Sequence, residues 1–381
     1  MNKIFIFVFM IVTLQTFGQN TKVTFVVNTN SLPQNESVFI TGNTNSLGNW
    51  KPDKIKMKKL SSTKWSKTFN FSKNIILEFK FTKGSWQTEA LDLKGNIPNN
   101  HELIIKNDTV LNFKISKWKD SLNSSKITKG QITGNVEYLR NLQGKGILPR
   151  DVAIWLPPSY HFNLKKRYPV LYMHDGQNLF DPKTSSFGID WQADETADSL
   201  IKSNNINEII IVGIYNTIDR SNEYAPGVKG ENYMKFIVNV LKPLIDKKYR
   251  TLPNRENCAV AGSSLGGLIS MMLVWQYSNI FSKAACLSPA FVYENVNYVQ
   301  YVKKTATADN SMIIYIYNGG IGLEKMLQPG VDSMLVELRN IGFRMNKNLF
   351  YDKVPTARHS EADWAKILHK PLKIFFNKNK K

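Results

Sequence analysis

Residues 257–267 read Asn257-Cys258-Ala259-Val260-Ala261-Gly262-Ser263-Ser264-Leu265-Gly266-Gly267, an apolar run that enters Gly-x-Ser-x-Gly and leaves into the apolar stretch Gly267 to Tyr277. The run is a buried strand and the stretch after it a helix. A serine between two glycines at a strand-to-helix turn sits on a sharp bend with its hydroxyl exposed, a nucleophile elbow. Gly262 and Gly266 must lack side chains so that the turn can close and a substrate approach. The amides at the helix start, that of Leu265 among them, then face a developing oxyanion.

Outward from this turn the texture is uniform. Pro169 to Met173, Glu208 to Ile214, Ala284 to Leu287 and Met312 to Tyr317 are apolar runs too continuous for half-exposed strands. They alternate with the helical stretches Tyr233 to Tyr249, Gly267 to Tyr277 and Val331 to Ile341. Strands apolar on both faces belong to a parallel sheet covered by helices, which predicts a three-layer α/β sandwich over residues 131–378.

A serine needs a base, and on this fold the order along the chain is Ser, acid, His. Only His359 and His369 follow Ser264. His359 lies in a polar loop after the strand-like Asn348 to Val354, and His369 lies inside the helical stretch Asp363 to Leu372. His359 is therefore the expected base. The acid must orient the imidazole, and the loop after Met312 to Tyr317 offers two. Glu324, close behind Asn318-Gly319-Gly320, is the first choice; Asp332 is the alternative, discounted because it reads as an ordinary first-turn acid of a helix. The second oxyanion donor is expected at the Gln177 amide, in the Gly-containing loop after Pro169 to Met173. No His pair has metal-ligand spacing and there is no HExxH, so neither a catalytic metal nor a cofactor is expected.

Residues 19–118 have a different rhythm. Val23 to Val27, Ser37 to Ile40, Trp65 to Phe71, Leu77 to Phe81 and Val110 to Ile115 are short alternating runs between turn residues, the pattern of an all-β, immunoglobulin-like sandwich. Trp65 falls on its inward face. Lys119 to Gly130 has the composition of a linker.

The ends and the charge bound the setting. Lys3, the apolar run Ile4 to Leu14 and Thr16-Phe17-Gly18 form a signal peptide over residues 1–18, with no cysteine behind it for a lipid anchor. The chain is expected to be exported, to the periplasm or beyond the cell, and no run approaches the length of a membrane span. The net charge of +20 at pH 7 invites a nucleic-acid partner. Against it, residues 21–130 hold eighteen Lys, eight acidic residues and no Arg, the residue that forks onto phosphates and base edges. A solvated lysine exterior is the expected reading. Cys258 and Cys286 show no CxxC spacing and read as buried hydrophobes.

Taken together, several segments resemble the Putative esterase (esterase D-like) family of α/β-hydrolases, which holds feruloyl, acetyl-xylan and enterochelin esterases and mycolyltransferases. They are Arg150 to Pro158, Asp175-Gly176-Gln177-Asn178-Leu179-Phe180-Asp181, Trp191 to Asp194, Asn222 to Pro226, Tyr249 to Thr251, the elbow, Gly330 to Asp332 and His359 to Trp364. The resemblance implies Ser264 as nucleophile, His359 as base, and a substrate cleft lined by the loops around Asp175, Trp191 and Tyr224. Relatives often show Asp just before the paired glycines, where this chain has Asn318. Gly42 to Trp50, Lys64 to Thr68, Glu78 to Phe81 and Gly84 to Trp86 resemble the starch-binding type of carbohydrate-binding module, which implies sugar contacts for Trp50 and Trp86. The module's usual Asn-Arg near its end is here Asn99-Asn100-His101. The expected activity is hydrolysis of an esterified oligo- or polysaccharide through an acyl-enzyme. Transfer of the acyl group to a sugar hydroxyl, or a non-catalytic carbohydrate-binding protein on a hydrolase scaffold, are the alternatives.

Overall fold

The protein is represented by a computed structural model that describes residues 20–93, 98, 100–121, 132–186, 188–293, 295–305 and 311–378. The signal peptide and most of the linker lie outside the described residues. The chain divides into two compact units, Met1–Ser121 and Leu122–Lys381.

In the first unit a four-stranded sheet is ordered Lys58–Lys59, Lys64–Ser72, Asn20–Thr29, Thr109–Ile115, and a three-stranded sheet is ordered Phe39–Gly42, Ile76–Thr82, His101–Ile104. Period-2 alternation sends Val23, Phe25 and Val27 inward from the central strand, where they meet Leu77, Phe79 and Phe81 of the other sheet. Phe25 and Phe79 cross edge to face with centroids 4.9 Å apart. Trp65 is buried among them, as its place in the alternation requires. The expected linker starts too early. Lys119–Ser121 form a 3-10 turn whose Lys119 amide bonds Glu89 O, and Lys83 Nζ pairs with Asp120 at 2.8 Å, so these polar residues close the sandwich.

The second unit carries an eight-stranded sheet ordered Leu349–Val354, Ile313–Gly319, Lys283–Leu287, Cys258–Ser263, Val170–His174, Ile210–Ile214, Ile147–Leu156, Asn135–Gly144. The first six strands run parallel, and the last two add an antiparallel hairpin at one edge. Alternate residues of each strand go to opposite layers. Cys258, Val260, Ala284 and Cys286 meet the helices Val228–Phe236, Leu265–Gln276 and Leu323–Asn340, whereas Ala259, Ala261, Ala285 and Leu287 meet Ala193–Lys202 and Glu361–Phe376. Both cysteines are buried and free. Among the described residues no helix is long and apolar enough to cross a membrane.

Two helix expectations are corrected. Tyr233 to Tyr249 is not one α-helix: Val228–Phe236 and Lys242–Lys248 flank a π-helical turn, Ile237–Leu241. Pro243 has no N–H to give, and its ring crowds the preceding turn, so the helix widens ahead of it. The helix expected from Val331 begins instead at Leu323 and runs through Pro329-Gly330 to Asn340. Gly330 packs on Val292 there, where a Cβ would stand 3.0 Å from the Val292 backbone nitrogen.

Candidate active site

Parallel strands deliver the residues that follow them to one edge of the sheet, and at that edge the backbone is strained. Asp175 follows Val170–His174 with φ 57°, Ser264 follows Cys258–Ser263 with φ 58°, and Ser288 follows Lys283–Leu287 with φ 44°. These three strands are neighbours. Left-handed conformations in residues other than glycine cost about 1–3 kcal/mol each and cluster where function demands them.

At Ser264 the strain is the elbow itself. A Cβ on Gly262 would lie 2.6 Å from Gly266 O, so the turn closes only on glycine. The Ser264 carbonyl accepts from the Gly267 and Leu268 amides at 3.0 and 3.1 Å, and the Ser264 amide donates to Leu287 O at 2.9 Å. Leu265, the first helical residue, keeps an amide with no intrahelical acceptor. The Ser264 side chain is half-buried.

His359 lies in the loop between strand Leu349–Val354 and helix Glu361–Phe376. Its Nδ1 is 3.1 Å from Oε1 of Glu324, which is wholly buried. Glu324 is in the first turn of Leu323–Asn340 rather than in a loop, and its carboxylate is held from three directions. Ser288 Oγ donates to Oε1 at 2.6 Å, the Gly319 amide donates to Oε2 at 3.2 Å, and His359 provides the third contact. Asn318 Nδ2 donates to the Glu324 carbonyl at 2.9 Å and to Gln328 Oε1 at 2.9 Å. The amide at this position thus holds the backbone of the residue that carries the carboxylate. Asp332, the alternative acid, accepts from Gln328 Nε2 at 2.7 Å on the exposed face of the same helix. His369 is bonded to Lys366 O, away from the cluster.

The loop expected to hold the second oxyanion donor is Asp175-Gly176-Gln177, directly after strand Val170–His174. A Cβ on Gly176 would stand 2.3 Å from the Gly213 carbonyl, so the loop settles on the neighbouring strand only because both residues are glycine. Gln177 Oε1 accepts from the Asn216 amide at 3.2 Å, which anchors the side chain; its own amide opens a 3-10 turn and has no backbone acceptor among the described residues.

Asp175 is a support rather than a wall of the cleft. Arg220 grips it with two hydrogen bonds, Nε to Oδ1 and Nη2 to Oδ2, both 2.7 Å, and Asn216 Nδ2 adds a third at 2.6 Å. Burial alone would raise its pKa; Arg220 overrides this and holds the carboxyl below the usual range. Tyr224 and Trp191, expected to line the cleft, are both buried. Tyr224 accepts the Asp175 amide on its hydroxyl at 3.2 Å. Trp191 packs on Trp364, ring centroids 5.5 Å apart, and Trp364 stands edge-on to His359 at 4.9 Å while its Nε1 donates to Ser288 Oγ at 2.9 Å. The Tyr224 and Trp191 rings lie in the layers on opposite faces of the sheet, each packed inside rather than at the rim.

Ser288, Trp364, Asn216 and Arg220 were not singled out from sequence. A polar residue directly behind a buried strand, as Ser288 is behind Ala284 to Leu287, was the available signal. In the sandwich Trp50 and Trp86 come together, both half-buried, with centroids 6.5 Å apart and planes at 36°. His101 instead lies among Phe79, Phe81 and Phe113. Asn99 is outside the described residues.

Ser264, Glu324 and His359 thus all follow the C-terminal ends of parallel strands of one α/β sheet. Residues 148–373, more than half of the chain, match the family model described as Putative esterase, and the chain belongs to that family. Residues 20–109 match the model described as Starch binding domain. An endo-1,4-beta-xylanase/feruloyl esterase of Xylanibacter ruminicola is 29% identical over 142 residues, 35% of this chain and 19% of its own. YbbA, an uncharacterized protein of Bacillus subtilis, is 28% identical over 159 residues, 38% of this chain and 59% of its own. The chain thus spans less than two thirds of the length of these relatives. Among solved structures, a ferulic acid esterase superposes with TM-score 0.52 at 22% identity, covering 65% of this chain and 98% of that one. An enterobactin esterase from Shigella flexneri superposes with TM-score 0.55 at 14% identity, covering 93% and 92%. At these identities the likeness is one of fold.

Proposed function

We propose that the protein is an exported serine esterase that removes acyl groups from an esterified carbohydrate. The observation that carries the reading is His359 Nδ1 at 3.1 Å from a buried carboxylate, at the sheet edge that also carries the strained Ser264. In this reading Ser264 Oγ attacks the acyl carbon and His359 Nε2 takes its proton. Glu324 keeps Nδ1 protonated and stabilises the imidazolium. The Leu265 and Gln177 amides hold the tetrahedral oxygen. The carbon–oxygen bond to the sugar then breaks, His359 returns the proton to the departing alkoxide, and water repeats the sequence to release the acid. Trp50 and Trp86 offer flat apolar faces on which a sugar ring can stack, which supports a carbohydrate rather than a lipid as the carrier.

The test is hydrolysis of p-nitrophenyl acetate by wild type and Ser264→Ala, followed by a panel of acetylated and feruloylated oligosaccharides. Loss of about 10⁶-fold in kcat on removing the hydroxyl is expected; equal rates would end the reading.

A further inference from the structure

Oε1 of Glu324 meets the base and also a hydroxyl that no reaction step uses, Ser288 Oγ at 2.6 Å. Ser288 is wholly buried in the left-handed turn behind Lys283–Leu287, and its amide donates to Tyr317 O at 2.7 Å. A serine hydroxyl rotates and can give or receive a hydrogen bond. Here its direction is set by a second neighbour. An indole N–H only donates and an ionised carboxylate only accepts. Trp364 Nε1, 2.9 Å from Ser288 Oγ, therefore occupies a lone pair and sends the hydroxyl proton to Glu324. The run from indole N–H through hydroxyl to carboxylate has one polarity, and each link polarises the next.

The ring that carries this N–H is built into the same short segment as the base. Helix Glu361–Phe376 begins two residues after His359, and the Ser360 side chain caps it by accepting from the Asp363 amide. The Asp363 carboxylate accepts from the Arg358 amide at 2.9 Å, and the Trp364 amide donates to Ser360 O at 3.0 Å. The residues on both sides of His359 are thus tied to the first helical turn. Trp364 is buried, with Trp191 on one side at 5.5 Å between centroids and the imidazole edge-on at 4.9 Å.

In the context of the serine-esterase role given to Ser264 above, we propose that Trp364 is a positioning residue whose indole N–H, acting through Ser288, fixes the Glu324 carboxylate against His359. Glu324 has no Lys or Arg paired to it among the described residues, so neutral donors must hold it in place. A donor chain does this without cancelling the charge that an imidazolium needs. Without the N–H, the Ser288 hydroxyl is free to turn and the carboxylate loses an oriented donor.

The test is a double-mutant cycle on the full chain, with kcat counted per active site titrated by an organophosphonate. Trp364→Phe keeps a ring beside His359 and removes the donor. It should lower kcat about fivefold, the worth of one neutral hydrogen bond, with KM unchanged. Ser288→Ala should cost about tenfold. The double variant should also cost about tenfold, not the roughly fiftyfold of independent effects, because the N–H has nothing left to orient. Replacing Trp364 by β-(3-benzothienyl)alanine keeps the bicyclic shape with sulfur in place of the N–H. It should reproduce the loss seen with Phe, and it decides the matter if the Phe variant does not fold. Full activity in the benzothienyl protein overturns the proposal. So does a Trp364→Phe loss repeated in full in the Ser288→Ala background, or a rise in KM in place of the fall in kcat. Failure of the esterase reading itself shows separately, as Ser264→Ala matching wild type.

Discussion

The two flanks of the elbow each hold a buried carboxylate, and they hold it by different means. On the oxyanion flank Asp175 is locked by the Arg220 guanidinium, and its loop is pinned further by Asn216 and Tyr224. On the acid flank Glu324 meets a hydroxyl, an amide and an imidazole, with no Lys or Arg paired to it among the described residues. The difference follows from the work required. In the proposed mechanism a loop that aims an amide at an oxyanion must not move, and a charged fork gives it rigidity. Under the same proposal, a carboxylate that stabilises an imidazolium formed during the reaction would lose that effect if a guanidinium already neutralised it.

The largest expected effect that probes this contrast is at Glu324. Glu324→Gln keeps the shape but can no longer secure the imidazole tautomer, and kcat should fall about 10⁴-fold. A loss under tenfold would show that the acid lies elsewhere, and Asp332→Asn measured alongside should change little. Arg220→Leu comes next. The oxyanion loop loses its clamp, and kcat should fall on the order of 10²-fold with KM less affected. Tm should drop as well, since Asp175 is left buried and unpaired. Ser288→Ala removes one of the donors to Glu324 while His359 and Gly319 remain, so a decrease nearer tenfold is expected. Equal losses in the Arg220 and Ser288 variants would erase the distinction between the flanks.

Acid should distinguish the oxyanion flank in a second way. His174 Nδ1 is 2.8 Å from the Tyr233 hydroxyl, and burial, only partly offset by Asp175, holds its pKa at about 3. Arg220 and Arg150 also disfavour its protonation, and Tyr224 and Tyr233 pack around it. The folded protein keeps this ring neutral while the unfolded chain takes up a proton below about 6.5. Its contribution is therefore complete above pH 6.5 and declines as pH falls toward 3, by up to about 1.4 kcal/mol per unit. Urea midpoints from pH 7 to pH 4 should fall less steeply for His174→Gln than for wild type; parallel curves would assign acid sensitivity elsewhere. The smallest effect on catalysis is expected at Trp50→Ala, which should leave p-nitrophenyl acetate hydrolysis unchanged while weakening retention on a polysaccharide column.

Sequence by itself determined the pieces whose signals are local. Gly262-x-Ser264-x-Gly266 encodes a turn that only glycine can close, alternation in Val23 to Val27 encodes a strand with one buried face, and apolar runs such as Ala284 to Leu287 encode strands covered on both sides. Those signals are carried by neighbouring residues, so periodicity and side-chain size suffice to read them. What only the tertiary structure decided was partnership across long separations. Glu324 and His359 are 35 positions apart, Asp175 and Arg220 are 45 apart, and Trp364 reaches Ser288 across 76. Strand order brings these residues together, and strand order is not written in any single segment. It also reversed local impressions: Pro329-Gly330 lies inside a helix because Gly330 fits against Val292, and Trp191 lies inside because Trp364 offers it a face. In the first case packing against a distant element outweighs a local helix cost of about 3 kcal/mol for the proline and about 1 kcal/mol for the glycine; in the second, burial of the indole's apolar surface decides.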